Sequence, residues 1–338
     1  MASASVIAAI IRAQFAAGPH NAICVLGEPG IGKTAIQEQV FLDPELKFDA
    51  MKAFNASFRD VVDFLGTPTH QPDQTTKWFP PNDLVELADG RRWLLVLEEI
   101  TDCDIPVQNA LCRLIHEREI NGVKLGDNVY ILCNGNLSKH KSGAKSLITK
   151  LSNRMTVVEM EANFEVWKNE FALPLCDKIP SLPIGIAYLN FQPGNFCDFK
   201  PAEMVSATPR SWMRAFETPN MPPEAYFQKI AGDVGLDKAT TFIAFRDLYL
   251  SLPKISDILA DPKGANVPKE TNVQYALAGA LSHHATPKNF DDVLTYVGRF
   301  PTKDLEVVCV MDAVNRDKGL TSTRAFSDWA IKNVGVFS

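Results

Sequence analysis

The stretch GEPGIGKT, Gly27 to Thr34, constrains this chain more than any other part of it. It follows a short apolar run, AICVL (22–26), and opens a helical pattern, TAIQEQVF. Strand, then G-x-x-x-x-G-K-[ST], then helix commits the backbone to a turn whose amides converge on one point. Small residues at Gly27, Gly30 and Gly32 let N–H groups turn inward on phosphate oxygens, and the start of a helix adds a favourable dipole. Lys33 is expected to reach the β- and γ-phosphates of a nucleotide, and the Thr34 hydroxyl to join a Mg²⁺ shell. The loop contacts expected for ATP are Gly27, Glu28, Pro29, Gly30, Ile31, Gly32, Lys33, Thr34 and Ala35. At ordinary residue frequencies a chain of 338 residues matches this pattern by chance about 0.01 times.

Beyond the loop, the chain is patterned for a parallel sheet. Further apolar runs occur at AMKAFN (50–55), WLLVL (93–97), VYILC (129–133) and MTVVEM (155–160), separated by helical or loop material. The run at 93–97 leads directly into Glu98 and Glu99. A strand apolar on both faces is covered on both sides, and ligands of open α/β sheets bind beyond the carboxyl ends of such strands. Successive strand residues point to opposite sides, so Glu98 is expected to face a Mg²⁺ ion and Glu99 the space for a hydrolytic water.

From about residue 161 the character changes. Helical spacing appears in FEVWKNEFALPL, PRSWMRAFE, PEAYFQKIAGDVG, KATTFIAFRDLYLSL, VQYALAGALSHH, FDDVLTYVGRF, DLEVVCVMDAV and RAFSDWAIKNV. With 46% apolar and 22% charged residues, the chain is ordinary globular material. Its formal charge of −6 gives no general attraction to nucleic acid or anionic lipid. Seven cysteines without a C-x-x-C pair read as reduced thiols of a cytoplasmic protein. The opening MASASVIAAIIRAQFAAG lacks a basic start and is broken by Arg12 and Gln14, which favours an amphipathic helix over a signal peptide. No stretch reaches the roughly 18 apolar residues of a membrane span.

Taken in order and spacing, the motifs resemble those of AAA+ ATPases, and within them the MoxR-like and dynein-related group of bacteria and phage. The resemblance rests on GEPGIGKT, DVVDFLGTP (60–68), KWFPP (77–81), LLVLEEI, VQNALCRLIHEREI (107–120), ILCNGN (131–136), LSNRM (151–155) and ATPRSW (207–212). It implies an α/β P-loop NTPase domain at 1–160, with a five-stranded parallel sheet and helices on both faces. A small helical lid at 161–236 and an all-α region at 237–338 would come after it. The family usually has Asp-Glu where this chain has Glu98-Glu99, a change that keeps the charge but moves the metal-directed carboxylate outward by about one bond length.

The same resemblance implies residue roles. Sensor 1 maps onto Asn136, with Asn134 as the alternative. The arginine finger, which acts on a neighbouring subunit's nucleotide, maps onto Arg154, and sensor 2 onto Arg210 behind Pro209. A finger acting across a boundary implies a homo-oligomeric ring, a hexamer in the family. The segment 64–81 resembles the insertion in the family's second helix, and REINGVKLGDN (118–128), with its Asn-Gly turn, the hairpin before sensor 1. Trp78 and Phe79 either contact a partner or pack under a Pro-rich loop, and Lys124 is a further candidate contact.

The implied function is an ATP-hydrolysing motor that remodels a protein client, in the family a von Willebrand factor A domain protein. A scaffold that binds ATP with little hydrolysis is the alternative. A DNA-linked motor or helicase loader ranks third, because the basic segment SKHKSGAKSLITK (138–150) lacks interleaved aromatics for base stacking. His283 and His284 lack metal-ligand spacing to any acidic or Cys cluster and are given no role.

Overall fold

A computed structural model of the chain describes residues 2–137, 146–200, 202–218 and 221–336. Most of the basic segment at 138–150 lies outside the described residues. Two compact units are present, one up to Asn163 with Lys200 and Ala202, the other Phe164–Phe199 and Glu203 onward.

Among the described residues the first unit has nine strands: β1 (Ala22–Leu26), β2 (Ala50–Asn55), β3 (Thr67–His70), β4 (Thr76–Phe79), β5 (Trp93–Glu98), β6 (Glu119–Ile120), β7 (Val123–Lys124), β8 (Val129–Gly135) and β9 (Met155–Glu159). Five of them form one parallel sheet in the order β2-β5-β8-β1-β9. Its helices are α1 (Ala4–Ala17), α2 (Lys33–Phe41), α3 (Val62–Leu65), α4 (Asn82–Val85), α5 (Ile105–His116) and α6 (Thr149–Ser152).

The apolar runs are strands because both faces are covered. On one face Cys24, Leu95, Leu97, Ile131 and Cys133 share a core with Val107, Leu111 and Leu114 of α5. On the other, Tyr130 of β8 meets Phe15 of α1 edge-on at 5.3 Å, and Ile23, Leu94, Val96 and Leu132 are buried. Pleating alternates these residues between faces, so a run without polar interruption is what a doubly covered strand requires. The α/β P-loop fold expected from the sequence is thus present. β5 runs one residue longer than anticipated, to Glu98, and β8 two longer, to Gly135.

The two remaining strand pairs are hairpins. β6 and β7 turn through Asn121 (φ 46°) and Gly122 (φ 85°), the left-handed pair of a type I′ turn that the Asn-Gly dipeptide announces. The segment at 64–81 contains the antiparallel pair β3–β4, for which the sequence carries no alternation. Both strands are exposed along their length, and Trp78 and Phe79 are 42% and 50% exposed. Of the two readings of these aromatics, packing under the loop is the one the structure does not bear out.

The second unit is helical: α7 (Phe164–Trp167), α8 (Leu182–Phe191), α9 (Pro209–Phe216), α10 (Pro223–Val234), α11 (Leu236–Leu250), α12 (Ile255–Ala260), α13 (Thr271–His284), α14 (Phe290–Val297), α15 (Lys303–Arg316) and α16 (Arg324–Lys332). Two of these, α8 and α12, have no counterpart among the helical patterns read from the sequence. In α8 every residue from Leu182 to Leu189 is buried, so no polar face exists to mark a period. Its Tyr188 meets Trp212 of α9 and Phe242 of α11 at 5.6 and 5.3 Å, and Trp212 and Phe242 are fully buried. The run FEVWKNEFALPL is one turn of α-helix followed by π-helical and 3₁₀ turns. No helix among the described residues is long and apolar enough to cross a membrane.

Candidate functional site

Strand order brings the site together. In β1, β2, β5 and β8 the chain runs the same way, and the register pairs Asn55 with Glu98 and Leu26 with Gly135. The carboxyl ends of four strands therefore open on one edge of the sheet, where the loop, the two glutamates and the asparagines converge.

The loop from Gly27 to Thr34 leaves β1 and enters α2, with Gly32 as N-cap at φ 105°. A side chain there would be strained, and a Cβ on Gly27 would lie 2.6 Å from Ile31 Cδ1 and 2.9 Å from the Met160 carbonyl oxygen. Among the described residues, nothing accepts a hydrogen bond from the backbone N–H groups of Gly30, Ile31 or Gly32. Unmet donors in a concave turn at a helix start are what phosphate oxygens complement, so the loop fits a nucleotide triphosphate.

Lys33 lies at the centre of this arrangement. Its ammonium donates to the carbonyls of Gly27 (2.9 Å) and Glu28 (2.8 Å) and to Asn136 Oδ1 (2.9 Å). Asn136 is the first residue beyond β8, so a lysine on α2 and an amide far along the chain meet in space. Thr34, the first-turn hydroxyl of α2, is exposed.

Glu98 ends β5, and Glu99 has already left the strand. Its φ of 53° is left-handed, a conformation that costs a non-glycine residue about 1–2 kcal/mol. The separation of the two carboxylates thus arises at a turn, and not from strand alternation as the sequence suggested. Three bonds hold Glu99 there: its N–H donates to Asn134 Oδ1 (3.0 Å), while Oε2 accepts from Asn55 Nδ2 (3.0 Å) and Ser57 Oγ (2.8 Å). Backbone strain kept in place by surrounding bonds is a feature of functional sites.

The two asparagines divide the work. Asn134, 5% exposed, braces the Glu99 turn from within β8, and Asn136 faces Lys33. Sequence reasoning missed Asn55 and Ser57. The signal available was a polar N-x-S directly after the second apolar run, at the sheet edge where the glutamates also emerge.

Arg154 stands elsewhere. Arg154 precedes β9, whose first residue Met155 pairs with Ala22, whereas the loop leaves β1 after Leu26, which pairs with Glu159. About 13 Å of strand separates the two ends. Arg154 Nη1 lies 2.6 Å from the Cys112 sulfur and 3.3 Å from the Lys150 carbonyl oxygen. Arg210 belongs to the second unit, exposed in the first turn of α9. Thr208 and Ser211 close a reciprocal cap around that turn, and Pro209 occupies its first position.

No family model and no curated protein matches the chain. Solved structures do match, among them NtrX from Brucella abortus in complex with ATP, 13% identical over 99% of this chain and 69% of that one, with a TM-score of 0.39. That similarity is too loose to carry any property of NtrX across. The strand order, with the phosphate-type loop after β1, establishes the α/β P-loop fold by itself.

Proposed function

We propose that this chain binds ATP with Mg²⁺ at the loop and hydrolyses it as a ring-forming AAA+ motor of the MoxR-like kind, acting on a protein partner. The observation that carries the reading is the Lys33–Asn136 contact beside a strained, hydrogen-bonded Glu99. A cation for the terminal phosphates, an amide and a carboxylate are gathered where unmet loop amides would hold the triphosphate.

In this reading Lys33 exchanges the loop carbonyls for phosphate oxygens. Glu99 orients a water and takes its proton at a carboxylate oxygen, and Asn136 holds that water or the γ-phosphate. Mg²⁺, when bound, neutralises phosphate charge, and Thr34 Oγ1 and the Glu98 carboxylate are the oxygens offered to it. Arg154 sits at the far end of the strand pair from its own loop, a distance beyond an arginine side chain, which favours action on a neighbour's nucleotide and hence a ring. Arg210 would approach from the helical part as sensor 2, with 161–236 as lid and 237–338 as an extension. The exposed β3–β4 hairpin, with Trp78 and Phe79, and Lys124 on β7 are the proposed client contacts.

Calorimetric titration with ATP and ADP, with and without Mg²⁺, tests the site, and phosphate release tests turnover. Absence of magnesium-dependent binding by folded protein overturns the reading. Mixing Arg154→Ala with Lys33→Ala protein should restore part of the lost activity, since some sites then combine an intact loop with an intact finger. No recovery in verified mixed assemblies overturns the shared site. A second reading, an ATP-gated scaffold with little hydrolysis, is favoured by Glu98 in place of aspartate and by the bonds from Asn55 and Ser57 that occupy Glu99. Binding without turnover would select it.

A further inference from the structure

Between Glu99 and the chemistry of Asn136 stands a side chain that no motif names. Thr101 is 2% exposed, in the turn that comes after Glu99. Its hydroxyl accepts from the Asn136 backbone N–H at 2.9 Å and donates to Asp102 Oδ1 at 3.0 Å. Both hydrogen-bonding functions of the group are used, and a buried hydroxyl with both used is fixed in direction.

The bonds around it form a closed lacing between two loops. Asp102 N–H donates to the Glu99 carbonyl (2.9 Å), Ile100 N–H to the Asn134 carbonyl (3.0 Å), and Glu99 N–H to Asn134 Oδ1 (3.0 Å). Without Thr101 this lacing stops at Asn134, inside β8. With it, the lacing extends to Asn136, whose side chain meets Lys33. Packing gives an independent sign of the same fit. A Cβ on Gly135 would lie 2.7 Å from Thr101 Cγ2 and 2.8 Å from Thr101 Oγ1, so the last residue of β8 has no side chain where the threonine sits.

We infer that Thr101 is a positioning residue. It fixes the peptide plane before Asn136, and so the direction from which the Asn136 amide meets Lys33 and a terminal phosphate, in register with Glu99. The inference rests on the function proposed above and adds to it the part that couples carboxylate to amide. Misplacement of a catalytic group by about 1 Å costs up to about 10²-fold in rate, which sets the scale of the effect.

The test compares Thr101→Val, which keeps the shape and loses both bonds, with Thr101→Ser, which keeps the hydroxyl. Steady-state ATP hydrolysis should show kcat lowered about tenfold or more in Thr101→Val, with KM and the ADP dissociation constant within about threefold. Thr101→Ser should recover kcat to within about threefold. Amide hydrogen exchange, read on protein without nucleotide, should be faster at Asn136 in Thr101→Val and unchanged in Thr101→Ser. Unaltered kcat in Thr101→Val, an equal loss in both variants, or unchanged exchange at Asn136 overturns the role of Thr101 while leaving the proposed ATPase intact. No binding or turnover in the unmutated protein overturns the ATPase and this role with it, whatever the exchange experiment shows of the tether.

Discussion

The Lys33 ammonium and the Asn136 amide oxygen lie 2.9 Å apart across a sequence separation of 103 residues. The parallel order makes this contact, since β8 lies beside β1 and the two strands end together. A residue just past β8 and one just inside α2 are then neighbours. Replacing Lys33 with alanine removes charge-assisted bonds worth about 1.5–3 kcal/mol each, so MgATP should bind about tenfold to hundredfold more weakly. Calorimetry on Lys33→Ala measures this directly, and affinity within twofold of the unmutated protein would contradict it.

Glu99 and its two side-chain donors make a second prediction. Glu99→Gln should keep MgATP binding and lose turnover by about 10²-fold or more, because the amide is no base. Ser57→Ala should act in the opposite direction and raise turnover by up to about tenfold, since it frees Oε2 from one of the two side-chain bonds that hold it. Phosphate release at saturating ATP distinguishes the two variants. A fall in rate for Ser57→Ala would show that the serine supports the carboxylate instead of restraining it.

How far the sequence discloses all this depends on what kind of signal each element leaves. β1, β5 and β8 are legible because a doubly covered strand is apolar at every position, and the loop because a tight turn with left-handed and close-packed positions requires glycines at fixed spacing. α8 leaves no period, being buried on all sides. Thr101 leaves none either, and Asn55 and Ser57 leave only a polar N-x-S at a strand end. Each acts through one or two bonds to a partner tens of residues away, and nothing in their immediate neighbours records that partner. The left-handed Glu99 is hidden for a related reason: its strain is held by Asn134, 35 residues on.

The exposed hairpin offers a test that separates shape from surface. Gly66 starts the segment at φ 79°, and a Cβ there would lie 2.0 Å from the Phe79 carbonyl oxygen. Gly66→Ala should therefore open β3–β4, seen as faster amide exchange over residues 67–79. Trp78→Ala, at an exposed position, should change stability by no more than about 0.5 kcal/mol and leave that exchange pattern in place. Hairpin exchange unaffected by Gly66→Ala would refute the steric argument.

Lys52 on β2 ties down α4 and the turn after it, which follow this hairpin in the chain. Its ammonium is 3.0 Å from Asp83 Oδ1 and also bonds Glu86, while Arg59 reaches Asp83 Oδ2 at 3.1 Å. Hydrogen bonds from Lys52 and then Arg59 hold the Asp83 carboxyl below the usual range, and Lys52 does the same for Glu86. Burial works against the charge on Lys52, but its bonds to Glu86 and Asp83 prevail and raise its pKa. A depressed carboxylate stabilises above its unfolded pKa, about 3.9 for Asp, and the gain is lost as pH falls through the folded value. A raised lysine stabilises below about pH 10.4 and loses its gain as pH rises through its folded value. The difference in Tm between the unmutated protein and Lys52→Met should thus be widest from about pH 5 to 9 and narrow at both extremes. A difference that did not narrow below about pH 4 or above about pH 10 would mean the cluster contributes only packing.

In the helical unit, Lys168 and Asp312 form a buried pair that tests the energetics of charge more sharply. Lys168 is 3% exposed and Asp312 2%, with Nζ to Oδ1 at 2.8 Å. Asn190 serves both, accepting from Lys168 at 3.2 Å and donating to Asp312 Oδ2 at 2.9 Å. Lys168→Met leaves a buried carboxylate with one amide donor, and removing one member of such a pair costs about 3–5 kcal/mol. Burial raises the Asp312 pKa, and the ammonium opposes that rise. A carboxyl with a raised folded pKa favours folding at low pH, and the advantage disappears as pH rises from about 3.9 through the folded value. Loss of Lys168 should lift that value further, so the variant's penalty should be largest at neutral pH and shrink as pH falls and Asp312 takes up its proton. Urea unfolding of the unmutated protein and Lys168→Met at pH 7 and pH 4 measures the two penalties. Adding Asp312→Leu to Lys168→Met should restore much of the stability at pH 7, because neither charge is then buried alone. A penalty equal at both pH values, and not relieved by the second substitution, would assign the effect to the lysine's methylenes and not to its charge.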